Sequence, residues 1–303
     1  MNKYQGRQTV ANASFLSTFI TTTKDGKKRP SIRFYRYFTM ILIHLLFVLS
    51  FVADIQVIEG DITGSRMLGF HLADPFITTE VILSRGQLPV NLLIGTFTIL
   101  AFYMFFAGRA FCSWVCPYNF FGEFAERLNA KLISKKIIKK REFDTKIRYI
   151  FLLAFWILSL ISGYLIFEIF NIVGIVSRFI IYGYSAAIWW AVLVFLAEVF
   201  FSRRFWCRYV CPIGTLYSLL SKFRAIKVSW NKEKCDHCAV CMDVCIVPKV
   251  LEITKTKNKD IPGEKFSIVS GDCTMCGRCI DVCHQDALSY ENRLKKLTTS
   301  RET

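Results

Sequence analysis

The sequence predicts an α-helical integral membrane protein: four transmembrane helices forming two hairpin repeats, then a small α+β domain on the cytoplasmic side. Three observations predict it. Four apolar runs reach or approach the ~20 residues that cross a bilayer. Lys and Arg crowd into alternate connections between those runs. The polar stretch after Lys222 is too short to bury a large core and needs a staple, and it carries 8 of the 12 Cys.

Composition narrows the class. The chain is 53% hydrophobic and has 28 Phe among 303 residues. A disordered chain is excluded by that hydrophobicity, and a soluble one would expose too much apolar surface. A net charge of +16 suggests nucleic acid in other contexts. Here the basic residues lie between apolar runs, so topology accounts for them and no nucleic acid is expected.

Residues 1–36 form a basic arm. Its stretch 10–20 is mildly apolar but short, lacks a small-residue cleavage pattern and reads as an ordinary arm. The apolar runs follow at about Tyr37–Ala53, Val90–Gly108, Tyr149–Phe170 and Ile180–Phe201. Residues 1–36 carry 8 Lys+Arg, the 54–89 loop 2, the 109–148 segment 10, the short loop after Phe170 1, and the tail from Arg203 18. Both termini and the middle segment are therefore expected in the cytoplasm. The loop bearing Asp54, Glu59, Asp61, Asp74 and Glu80 is expected outside. The basic run Lys135–Arg141 is a topology signal that also meets anionic lipid. The domains are expected at 37–222 for the membrane part and 223–303 for the soluble part, with β-like stretches at Val250–Thr254 and Phe266–Val269.

The membrane part repeats. Arg109-Ala-Phe-Cys112-Ser-Trp-Val-Cys116-Pro117 reappears as Arg204-Phe-Trp-Cys207-Arg-Tyr-Val-Cys211-Pro212, at one offset of 95 residues. Residues four apart share a helix face, so each motif can present two sulfurs together. Pro117 and Pro212 disfavour helix at the preceding Cys. Arg109, Arg203, Arg204 and Arg208 favour thiolates nearby. Cys112, Cys116, Cys207 and Cys211 could supply one tetrahedral soft-metal or Fe–S site, or act as two redox-active dithiols.

The soluble part carries Cys235-x2-Cys238-x2-Cys241-x3-Cys245 and then Cys273-x2-Cys276-x2-Cys279-x3-Cys283. This is the bacterial ferredoxin spacing for two [4Fe–4S] clusters. Three closely spaced thiolates wrap one cubane, and the fourth reaches the other. The first cluster is thus assigned Cys235, Cys238, Cys241 and Cys283. The second takes Cys273, Cys276, Cys279 and Cys245. Zinc sites more often use two separated C-x2-C pairs. The Pro that usually follows the last Cys of each run is absent, since Ile246 and His284 stand there.

Ionisable groups near the membrane are the remaining candidates. His44 lies in the first run and reads as a helix-packing hydrogen bonder, with a haem or quinone ligand as the sharper alternative. His71 and Asp74 on the outer loop, and Glu198 two turns before the Cys207 motif, are candidate proton acceptors. Glu168 lies near a span end. His237 and His284, beside cluster cysteines, read as hydrogen-bonding neighbours.

These motifs together resemble the NapH-type ferredoxin proteins, the quinol dehydrogenase membrane component of periplasmic nitrate reductase systems. The resemblance covers about residues 30–290 and implies a multi-pass protein of the bacterial inner membrane. It implies oxidation of menaquinol or ubiquinol and electron delivery through [4Fe–4S] centres to a NapG-type iron–sulfur subunit, then to a periplasmic nitrate reductase. Similar proteins of the CcoG type, in cytochrome oxidase assembly, leave a copper- or metal-handling role as an alternative. A non-catalytic redox anchor is another. No nucleotide-binding glycine motif accompanies the cysteines.

Overall fold

The computed structural model describes residues 19–22, 28–54, 58–67, 69–256 and 263–292. Most of the apolar stretch 10–20, and much of the turn-like linker before Gly263, lie outside the described residues. The chain forms two compact units. One, rich in cysteine, comprises the described residues up to Phe38, Tyr103–Trp114, and those from Leu220 onward. The other is helical and comprises Thr39–Phe102 and Val115–Leu219.

In chain order, β1 (Ile20–Thr22) pairs antiparallel with β2 (Lys28–Pro30). Helix α1 (Ile32–Val52) follows and is long and apolar enough to cross a membrane. Its first amides are capped from far along the chain. The Asp281 carboxylate accepts from Ile32 N at 2.9 Å and Arg33 N at 3.2 Å, an anion placed at the positive end of the helix dipole.

The other three apolar runs depart from single long spans. Helix α3 (Val90–Phe102) passes into a π-helical turn at Tyr103–Ala107, and this stretch meets the membrane-crossing test only as a broken span with Gly108–Trp114. Helix α5 (Ile147–Ser162) ends at Gly163, and Ile166–Phe170 is a separate short helix. The run expected at Ile180–Phe201 is split between α6 (Ile172–Tyr182) and α7 (Ile188–Phe200). Gly183 takes φ +90° between them, a backbone that side-chain-bearing residues rarely adopt. At 13 residues, α7 is ~20 Å long, short of the ~30 Å hydrocarbon core. Among the described residues, one helix, or two counting the broken pair, meets the length and apolarity of a crossing. Apolar composition reports affinity for lipid but is blind to such backbone breaks.

The acidic loop is also more structured than expected. β3 (Ile58–Gly60), β4 (Gly64–Met67) and β5 (Phe70–Ala73) form an antiparallel meander. Helix α2 (Pro75–Arg85) then packs against α5 and α3. Asp74 Oδ1 accepts from Phe76 N at 2.8 Å, and Pro75 opens the helix, the usual start signature. Glu80, in the loop expected outside, is fully buried. It accepts from Ser159 Oγ at 2.5 Å and Phe167 N at 2.8 Å.

Helix α4 (Tyr118–Ser134) begins directly after the first C-x3-C-P motif, and α8 (Pro212–Leu220) begins on the Pro of the second. The cysteine-rich unit is built on a three-stranded antiparallel sheet. Central β6 (Ile226–Asn231) is flanked by β7 (Lys265–Ser267) and β8 (Leu288–Asn292). Trp230, Val228, Leu251 and Leu288 fill its core. The stretch read as β-like at Val250–Thr254 is instead part of a 3-10 helix, Pro248–Thr254. Pro248 sets the first turn, and the turn drives Val250 and Leu251 inward. Phe266 lies in β7.

Candidate functional site

The two cysteine runs fold into matching loops. His237 and Met275, each two residues after the first Cys, both have positive φ (+56° and +54°). So do Ala239 and Gly277, four residues after it, at +62° and +71°. A non-glycine residue held left-handed costs on the order of 1–2 kcal/mol. The same cost taken at equivalent places in both loops marks a shape the site requires. Consecutive turns of this kind point backbone N–H groups inward, which suits an anionic centre.

Each loop closes on a cavity. Cys235, Cys238, Cys241 and Cys283 line one, with Trp230, His237 and Thr254. Cys245, Cys273, Cys276 and Cys279 line the other, with Val228, Ile246, Leu251 and Ile268. In each case three thiols come from one run and the fourth from the other. Four sulfurs around one void are the donor set of an iron–sulfur cubane, so the residues fit the group.

The electrostatics follow the same grouping. Burial, first of all, pushes Cys241 up to about 11; the neighbouring Cys238, Cys235 and Cys283 add to it, against a hydrogen bond from Thr254. Cys279 is raised well above a free thiol by burial and then by Cys276, Cys245, Cys273 and Cys241. Crowded thiols stay protonated, and a metal must displace those protons to bind.

The two cavities have different borders. Around the first, Asp236 Oδ2 lies 2.9 Å from His284 Nε2, and Asp236 Oδ1 accepts from Cys238 N at 3.3 Å. His237 Nδ1 bonds Thr254 O at 3.0 Å. The two histidine rings thus bond Asp236 and Thr254 beside the cysteines, and the backbone His237 N donates to Cys235 Sγ at 3.4 Å. Around the second, the ligand loop is gripped by buried and half-buried side chains from other segments. Arg36 Nη1 donates to Cys276 O at 3.1 Å, and Arg224 Nη1 donates to Cys273 O at 3.3 Å. Trp114 Nε1 and Tyr290 Oη both donate to Met275 O, at 3.0 and 2.7 Å. Arg109 pairs with Asp272 at 3.8 Å. Sequence reasoning missed Arg36 and Arg224, because no local pattern ties them to cysteines so far along the chain.

The C-x3-C-P motifs keep their sulfurs near helical turns. Cys112 lies in the turn Phe111–Trp114 of the cysteine-rich unit. Cys116, Cys207 and Cys211 lie in the helical unit. Cys207 occupies a π-helical turn, Trp206–Val210, and Cys211 leaves it with an extended backbone (φ −59°, ψ 110°), as its following Pro requires. Burial, Glu198, Cys116 and Cys211 all raise the Cys207 thiol, opposed by Arg204. These three sulfurs therefore share one electrostatic environment.

Arg204, the repeat partner of Arg109, anchors that environment. It is 1% exposed and has a positive φ of +56°. Its Nε donates to Glu126 Oε2 at 3.1 Å, and its Nη1 to Asn119 Oδ1 at 3.1 Å. Arg203 pairs with the same Glu126 at 2.8 Å. Glu198 is fully buried beside them and accepts from Trp206 N at 3.2 Å. Of the outer candidates, His71 is exposed on β5, whereas Asp74 is buried as the α2 cap. His44 bonds the Met40 carbonyl of its own helix at 2.9 Å. Glu168 pairs with Arg178 at 2.8 Å and accepts from Asn171 at 3.0 Å.

Paired ferredoxin loops around four-thiol cavities define an iron–sulfur protein of the electron-transfer class. Comparison with protein families agrees. A 4Fe-4S binding domain matches residues 88–141 and again 182–231, each match containing one C-x3-C-P motif. A 4Fe-4S dicluster domain matches residues 234–287. The chain is 31% identical to the ferredoxin-type protein NapH of Haemophilus influenzae, over 86% of this chain and 89% of that protein. It is 32% identical to the methylamine utilization ferredoxin-type protein MauN of Paracoccus denitrificans, over 73% of this chain and 76% of that one. The ferredoxin-type protein NapH of Escherichia coli is 29% identical over 79% of the chain and 82% of its own length. The chain belongs to the family of NapH-type ferredoxin proteins. No solved structure matches it.

Proposed function

We propose that the chain is the membrane component of a quinol dehydrogenase, with two [4Fe–4S] clusters held by crossed cysteine sets. The observation that carries this reading is the pair of four-thiol cavities. A quinol surrenders two electrons and two protons on becoming a quinone. Each cluster, when bound, takes and returns one electron, so the pair matches one quinol.

The chain's own residues bind and position the clusters and receive the protons. A base must lie within reach of the quinol hydroxyls. We assign that role to Glu198 on the inner side, because it adjoins the Cys207 motif and shortens the electron path. His71 and Asp74 are the acceptors of an outer site, which would need a further carrier. The lysine and arginine count supports four crossings with both termini in the cytoplasm of a bacterial inner membrane, and α1 is long and apolar enough to be one of them. The resemblance and the NapH relatives support a NapG-type iron–sulfur partner and a periplasmic nitrate reductase beyond it.

The test is anaerobic addition of menaquinol or ubiquinol to the purified protein, followed by visible bleaching and EPR. Cluster reduction by quinol is the expected result. Clusters that dithionite reduces and quinol does not would contradict it. Copper binding at the C-x3-C-P cysteines without quinol oxidation would favour metal handling instead.

A further inference from the structure

We infer that Arg224, backed by Arg36, is the counter-charge of the cluster held by Cys245, Cys273, Cys276 and Cys279, and makes that cluster the higher-potential member of the pair. The inference rests on the reading that each cavity holds a [4Fe–4S] cluster.

Arg224 is 0% exposed. Its Nη2 donates to Ile268 O at 3.2 Å and its Nη1 to Cys273 O at 3.3 Å. Among the described residues, it pairs with no carboxylate. A buried guanidinium without an opposite charge is strongly unfavourable, and buried charges are normally paired or sit beside a metal centre. The cavity its Cys273 contact faces supplies the anion. A cubane with four thiolates carries net negative charge that grows on reduction.

Two further arginines reach the same loop. Arg36 is 0% exposed and donates to Cys276 O, whereas Arg109 neutralises Asp272, the acid on the cavity's rim. Asp281, also close, has its carboxylate engaged by the first amides of α1. The other cavity is edged by a carboxylate instead, that of Asp236, which bonds Cys238 N. Fixed positive charge stabilises an added electron and a carboxylate opposes it. Burial also opposes the added electron, since reduction increases the charge in a poorly hydrated site. It equally removes the screening from the two buried guanidinium groups, Arg224 and Arg36, while Arg109 offsets Asp272, so the arginines prevail.

The experiment uses the full-length protein in detergent and an anaerobic redox titration followed by EPR. Cys273→Ser and Cys235→Ser assign each signal to its cluster. The signal lost in Cys273→Ser should titrate at the higher potential. Arg224→Met should lower that potential and leave the other where it is, with iron content unchanged. Arg224→Lys, which keeps the charge, should restore most of the shift. If Arg224→Met does not fold, Arg36→Gln reads the same downward shift with Arg224 in place. Full iron content with both potentials unmoved by these changes, or with both moved equally, overturns the inference alone. A wild-type protein with no iron in either cavity overturns the cluster reading and this inference with it.

Discussion

A methyl group added at Gly277 would stand 2.4 Å from Ile32 Cγ2 and 2.8 Å from Ile32 Cβ, and Gly277 also has a left-handed backbone. A Cβ atom of Ile32 cannot swing away, so the ligand loop or α1 must shift. Left-handed strain and overpacking each cost on the order of 1–3 kcal/mol. Gly277→Ala should therefore destabilise by ~3 kcal/mol and lower iron content, measured by thermal unfolding and iron assay. Wild-type stability would mean that the loop tolerates the contact. Asp74 offers a second test. Burial, set against the hydrogen bond from Phe76 N, raises its carboxyl to about 6. The folded value exceeds the ordinary ~3.9, so the folded state binds the proton more tightly. Stability from this group is full below pH ~4 and is lost as pH rises through 6. Asp74→Asn keeps the cap and removes the charge. It should stabilise the protein at pH 8, by at most ~3 kcal/mol of unfolding free energy, read as a raised Tm, and leave pH 4 unchanged; equal effects at both pH values would contradict this. Glu198→Gln should slow quinol-dependent cluster reduction at least ~10-fold with iron content intact, whereas His71→Ala should stay within ~2-fold, as expected for removal of one general base. The reverse pattern in stopped-flow traces would move the site outside.

At the scale of elements, the two C-x3-C-P turns are expected to act together. Cys207 feels both Cys116 and Cys211, and groups that act as a unit lose function non-additively. Cys116→Ser combined with Cys207→Ser should thus slow cluster reduction little more than either alone; additive losses would indicate independent dithiols. Both motifs and both cysteine runs were legible in the sequence because their spacing is local and repeated. The exit of Cys211 from its helical turn was legible for the same reason, through Pro212. The α2 helix was announced by Asp74-Pro75 but hidden by its place in an acidic loop. The break at Gly183 lay inside a continuous apolar run, where hydropathy carries no information about backbone direction. In Pro248–Thr254, Val250, Leu251 and Ile253 fit a turn as well as a strand, and Pro248 was the deciding residue.

Over the whole molecule, what the sequence hid is long-range pairing of charge. Arg204 meets Glu126 across 78 positions, and Arg36 meets Cys276 across 240. No periodicity connects such residues; only the folded chain brings them together. The four-crossing topology is tested at this scale by reporter fusions. Fusions at Arg66, Lys139 and Arg301 should report outside, inside and inside, and an external signal at Lys139 or Arg301 would contradict it. The crossed cluster pair is tested most directly by Cys245→Ser, with iron analysis and EPR on the purified protein. The wild-type protein should hold about eight iron atoms, as two four-iron centres require. Cys245→Ser should damage the centre of Cys273, Cys276 and Cys279 and spare that of Cys235, Cys238, Cys241 and Cys283. Damage confined to the Cys235 centre, the sequence neighbour of Cys245, would contradict the crossed arrangement.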